Sequence, residues 1–187
     1  FHRRFMRQYP NWLQSLTPVG ERACHWESIK YKECMNQEYV NPSLSPAKLV
    51  WERELGLPLE LSSVSAVSHK FSIEYITSAI GVIGELVYNI LYGFSQTTAR
   101  GIIDIMAGTD FELDSEMALF ALGELANTIT GNAATELSGN GFECNIASPV
   151  LIQSSGTEIS TLGRPQFLVV FNCEAGDLNV CVSLPEG

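Results

Sequence analysis

Residues 114–138 read DSEMALFALGELANTITGNAATELS. Within them Ala118, Leu122, Leu125, Ile129, Ala133 and Leu137 recur every three or four positions, the period of a helix that buries one side. Asp114 and Glu116 suit the positive end of such a helix, and Gly139-Asn140-Gly141 marks the break after it. Gly123 and Gly131 lower helix propensity but remove side-chain bulk, which permits close packing against this helix. It is the longest helical candidate in the chain, and the other elements are placed around it.

Upstream, Asn41-Pro42 reads as a helix start, with Asn capping and Pro at the first helical position. Leu44, Ala47, Leu49, Val50, Trp51 and Leu55 make residues 42–55 amphipathic, and Gly56 ends them. Between Leu59 and Leu91 the apolar and β-branched residues at Val64, Val67, Phe71, Ile73, Ile76, Ile80, Val82, Ile83 and Val87 predict several strands. Ser95 caps a second helix running to about Met106, broken by Gly108-Thr109-Asp110. Downstream, 142–152 reads as a strand interrupted near Pro149. Two more strands, 166–173 and 177–184, are joined through Glu174-Ala175-Gly176-Asp177. The pattern predicts an α/β domain of the α+β type, with a largely antiparallel sheet and long helices. It lacks the regular strand-helix alternation of a Rossmann fold.

Composition bounds the function. The 187 residues carry a formal charge of -10, which argues against a broad phosphate-attracting face for nucleic acid. Residues 1–34 hold six Arg or Lys and three Glu, whereas the remainder holds five basic and 18 acidic residues, so a boundary is expected near Cys34. We divide the chain into an extension over 1–35 and a domain over 36–187. No apolar run approaches the length of a membrane span, and the arginine-rich start lacks a signal-peptide core, so a cytoplasmic protein is expected. Five widely spaced cysteines do not form a disulfide framework, and Cys144, Cys173 and Cys181 are expected as reduced core residues.

Glu124 and Asn127, three apart, share one side of the long helix, with Phe120 four residues before Glu124 and Gly131 four after Asn127. That stripe combines an apolar contact, a charge, an amide able to position water and room for close approach. The same arrangement also occurs on ordinary solvated helices, and its context separates the two. GELANTITGNAATELSGNGFECNIASP resembles the signature of the CheX/CheC/FliY family of chemotaxis phosphatases, in which a Glu-x-x-Asn pair on a long helix precedes a strand proline. The matches are Glu124, Asn127 and Pro149, with Gly131-Asn132-Ala133-Ala134 between them. YVNPSLSPAKLVWERELG, residues 39–56, resembles the opening helix of the CheX branch, and the likeness covers about residues 36–187.

The resemblance implies dephosphorylation of the phospho-aspartate of a CheY-like response regulator. Glu124 would pair with the regulator's lysine, and Asn127 would orient the attacking water. The partner would hold the acyl phosphate and Mg²⁺, and this chain would bind no cofactor or metal of its own. Phe120 stands where the family usually has Asp or Ser. It either attenuates the reaction or serves with Gly131 as a partner-binding contact, and a regulator-binding module without catalysis is the alternative. A homodimer is also expected, with the run QFLVVFN as an apolar strand that either pairs at an edge or lies centrally in the sheet.

Other motifs carry less. Glu38 and Asn41 repeat the Glu-x-x-Asn spacing, but a helix starting at Pro42 would leave Glu38 outside it, favouring one site. Glu85 and Asn89 fall in a strand-like region. Cys24, His25 and Cys34 are three soft or borderline ligands without a strong zinc spacing. His69 reads as a surface or strand-edge residue, and His2 has no neighbouring nucleophile. Gly81-Val82-Ile83-Gly84 lacks the ending of a phosphate loop, and Asp104 and Asp110 read as helix-end residues.

Overall fold

A computed structural model describes residues 37–109, 111–154 and 156–183. Among the described residues three helices, α1 (Gln37–Leu55), α2 (Gln96–Met106) and α3 (Glu116–Gly139), accompany seven strands. The strands are β1 (Glu60–Ser72), β2 (Ile76–Gly84), β3 (Tyr88–Phe94), β4 (Cys144–Ile146), β5 (Val150–Gln153), β6 (Glu158–Asn172) and β7 (Leu178–Ser183). They form one sheet in the order β1-β6-β7-β3-β2-β4, with β5 also on β2, and every pairing is antiparallel. This is the α+β architecture expected, with neighbours far apart in sequence.

The three helices share one core on one side of the sheet. Trp51 and Val50 of α1, Ile102 and Ile103 of α2, and Leu122, Leu125 and Ile129 of α3 meet Ile80, Tyr92, Phe94, Val169 and Val180 there. Trp51 also donates from Nε1 to Cys173 Sγ at 3.2 Å, tying α1 to the end of β6. A smaller cluster of Phe71, Leu91 and Cys181 closes the other side. There a Cβ at Gly93 would come within 3.1 Å of the Phe71 ring. Burial pushes the Cys181 thiol up to about 12, and it donates to Gln166 Oε1 at 3.0 Å. Cys144, Cys173 and Cys181 are all free, but Cys144 and Cys173 are only half-buried.

The caps follow local chemistry. Ser95 Oγ accepts from the Thr98 amide at 3.1 Å, and Ser115 Oγ accepts from the Ala118 amide at 3.3 Å. The turn before β7 needs its glycine: Gly176 has φ +112°, and a Cβ there would collide with Thr98 at the start of α2.

One expectation needs correction, and one open alternative is decided. The first helix begins at Gln37 rather than Pro42, so Pro42 and Pro46 both lie inside it. Each proline removes one helical hydrogen bond, but both are buried. Side chains on the same turns add tertiary bonds, from Ser43 to Tyr88 at 2.6 Å and from Ser45 to Glu136 at 2.6 Å. Packing here overrides the local stop signal. Of the two placements open to the run 166–172, the central one holds, because β6 is paired by β1 on one side and β7 on the other. β6 also starts at Glu158, earlier than expected, and runs along β1 through register shifts between Leu61 and Ser63 and between Ser68 and Lys70.

Candidate active site on the long helix

At 3.6 residues per turn, Phe120, Glu124, Asn127 and Gly131 fall within about 60° of arc on α3. The opposite arc holds Ala118, Leu122, Leu125, Ala126, Ile129, Ala133 and Leu137, all buried. Core burial therefore fixes which residues face outward. Phe120 is 62% exposed, while Glu124, Asn127 and Gly131 are half-buried.

Among the described residues, the side chains of Glu124 and Asn127 make no hydrogen bond or ion pair. Neither contributes to the buried, unpartnered polar atoms. Their oxygens and the Asn127 amide thus remain in contact with solvent with their hydrogen-bonding capacity unspent. Their neighbours on α3 differ: Asn132 Nδ2 donates to Thr128 O at 2.8 Å, and Thr135 Oγ1 donates to Gly131 O at 3.0 Å.

The β4–β5 segment flanks this stripe. A Cβ at Gly123 would lie 3.6 Å from Leu151 Cδ1 and 4.0 Å from Pro149 Cγ, and one at Gly131 would lie 3.9 Å from Ile146 Cδ1. Asn127 sits one turn from each glycine. Pro149 interrupts the strand as expected, leaving β4 and β5 as two short partners of β2, and Ala147 between them donates its amide to Gly81 O at 2.8 Å. Glu124, Asn127 and the segment carrying Pro149 are thereby brought to one region, with room for a methyl group between Gly131 and Ile146.

The second Glu-x-x-Asn is on a helix after all, since α1 starts at Gln37. Burial separates it from the first: Asn41 Oδ1 is buried without a partner, so its amide oxygen is turned away from any docking molecule. Glu85 lies in the β2–β3 turn, where its Oε2 accepts from the Glu143 amide at 2.7 Å, while Asn89 is on β3. Asp104 pairs with Arg100 at 3.1 Å. Gly81 and Gly84 are in β2 rather than in a phosphate-binding loop, and His69 is on β1. His2, Cys24, His25, Cys34 and Asp110 lie outside the described residues. Among the described residues no three His, Cys, Asp or Glu side chains gather to hold a metal, and no helix is long and apolar enough to cross a membrane.

Sequence reasoning missed two buried hydroxyl pairs, Tyr88 with Ser43 and Tyr92 with Thr130 at 2.9 Å. A tyrosine in a strand reads as an apolar residue, and a lone Ser or Thr reads as a weak helix former, so no local signal joins them.

The chemotaxis phosphatase CheX family model matches residues 76–172, more than half of the chain. A CheY-P phosphatase CheX from Thermotoga maritima is 29% identical over 151 residues, which cover 79% of this chain and 97% of that protein. A CheC-like superfamily protein from Shewanella sp. PV-4 has a similar fold, with a TM-score of 0.73 at 22% identity over 82% of this chain and 100% of that one. So does the chain in a CheX–CheY–BeF3–Mg²⁺ complex from Borrelia burgdorferi, with a TM-score of 0.69 at 24% identity over 79% of this chain and 98% of that one.

Proposed function

This chain belongs to the CheX family of chemotaxis phosphatases, and we propose that it hydrolyses the phospho-aspartate of a CheY-like response regulator through Glu124 and Asn127. The observation that carries the assignment of residues is their free hydrogen-bonding capacity on the outward arc of α3. A helix that presents an unpaired carboxylate and an unpaired carboxamide one turn apart suits a partner that supplies the rest of the reaction centre.

In this division of labour the Glu124 carboxylate pairs with an ammonium group of the regulator and sets the docking register. The Asn127 amide, both donor and acceptor, holds a water in line with the phosphorus. Water attacks, the bond from phosphorus to the aspartyl oxygen breaks, and the products are inorganic phosphate and the free aspartate carboxylate. Mg²⁺ belongs to the regulator, in keeping with the composition of the Borrelia complex, and neutralises the charge on the transferring group. The amide is a poor base, so its contribution is orientation.

Residues 36–187 form the phosphatase domain and 1–35 an extension to it, acting in the cytoplasm. A homodimer, tested by sedimentation, would use the edge of β1 that has no partner strand among the described residues, since β6 is interior. The function is tested by Mg²⁺-dependent phosphate release from the cognate regulator with the native chain, Asn127→Ala and Glu124→Ala. Asn127→Ala is expected to lose about 10²-fold in rate with binding retained, and Glu124→Ala to lose binding and rate together. A native chain that binds the regulator without accelerating hydrolysis would leave a binding module in place of an enzyme.

A further inference from the structure

Tyr92 on β3 is fully buried, and its hydroxyl lies 2.9 Å from Thr130 Oγ1. Thr130 is the one buried polar side chain on α3, and its Oγ1 donates to Ala126 O at 2.9 Å. A threonine hydroxyl has a single proton, so Tyr92 is the donor in the first bond and the chain runs Tyr92 to Thr130 to the Ala126 carbonyl. Ala126 and Thr130 flank Asn127, so the latch grips the turn that carries the proposed water-positioning amide.

We propose that Tyr92 is a positioning residue for Asn127, setting the rotation of α3 about its own axis; the inference rests on the phosphatase reading above. Thr130 lies about 4.5 Å along the axis from Asn127, and the amide sits about 6 Å off the axis, so a rotation of about 10° moves it by about 1 Å. A displacement of that size costs on the order of 10²-fold when water must be held in line. Buried contacts alone would hold the helix on the sheet, but apolar packing tolerates small rolls that a directed hydrogen bond does not.

The same strand supplies the control. Tyr88, four residues earlier and on the same side of β3, makes the matching bond to Ser43 of α1 at 2.6 Å. Tyr88→Phe removes an equivalent buried hydroxyl from the helix that carries no proposed catalytic group.

The test compares native chain, Tyr92→Phe, Thr130→Val and Tyr88→Phe for kcat at saturating phosphorylated regulator, for regulator Kd, and for backbone amide exchange. Tyr92→Phe and Thr130→Val are each expected to lower kcat about tenfold, the loss for a roll of about 5° and half that displacement, with Kd within twofold. The double variant should be no worse than either, and Tyr88→Phe should keep kcat within twofold. Exchange should quicken over residues 126–131 in Tyr92→Phe and around residue 43 in Tyr88→Phe. Native kcat in Tyr92→Phe, or an equal loss in Tyr88→Phe, overturns the proposal. A native chain inactive on the regulator overturns the phosphatase reading instead. In that event unchanged exchange over 126–131 in Tyr92→Phe still refutes the latch.

Discussion

Replacing Phe120 by alanine removes the most exposed aromatic ring on the outward arc of α3. The ring is 62% exposed, so of the roughly 200 Å² that a phenylalanine can bury, about 120 Å² remains for a partner to cover. At about 25 cal/mol per Å² this amounts to at most about 3 kcal/mol. Ordering and imperfect fit at an interface take back a large part of such a figure, so about 1.4 kcal/mol, a tenfold rise in regulator Kd, is the expected cost. The fold itself should be nearly indifferent, because the exposed ring adds little to the core and alanine is the better helix former. Titration of regulator by fluorescence or calorimetry, paired with kcat at saturation, reads the two effects apart. Phe120→Ala should weaken binding about tenfold and leave kcat within twofold. Phe120→Asp, which restores a polar residue of the kind the family usually carries, should weaken binding at least as much. Unchanged Kd in both variants, or faster turnover in Phe120→Asp, would refute the ring as an anchor and mark it as attenuating.

Gly176→Ala is expected to destabilise the fold by about 2–4 kcal/mol in chemical denaturation, because φ is +112° and the added methyl meets Thr98. The Cys181 thiol, raised to about 12 from 9.0, stays protonated in the folded chain while the unfolded chain ionises. Its stability contribution is therefore complete below about pH 9 and is lost on rising to pH 12, at a slope of up to about 1.4 kcal/mol per pH unit. Cys181→Ala should flatten that part of the stability profile. A chain beginning at residue 36 is expected to retain native kcat and Kd toward the regulator; a drop in either would assign the first 35 residues a part in the reaction.

The parts of the fold legible in the sequence were those decided by a few neighbouring residues. Ser95 as a cap, the Glu174–Asp177 turn with its glycine, and the buried side of α3 all follow from local hydrogen bonding or helical period. So does the outward placement of Phe120, Glu124 and Asn127, because fixing the buried arc fixes the opposite one. What escaped detection depends on partners distant in the chain. α1 runs on through Pro42 and Pro46, where Tyr88 and Glu136 bond the intervening serines. The interior position of β6 follows from a pairing with β1 across about a hundred residues. For Asn41, the spacing was right for a second site and the helix is present, but the inward turn of its oxygen is a property of packing alone.

The sheet order has a further consequence for stoichiometry. α3 packs beside β2, β4 and β5, while β1, which among the described residues pairs only with β6, forms the far edge, four strand intervals from β2. At about 4.8 Å per interval the two regions are roughly 19 Å apart. A regulator seated on α3 and a second copy of the chain paired along β1 would occupy opposite ends of the sheet. Each chain would then titrate with one regulator along a simple hyperbola, and doubling the assembly would double its capacity without altering its affinity.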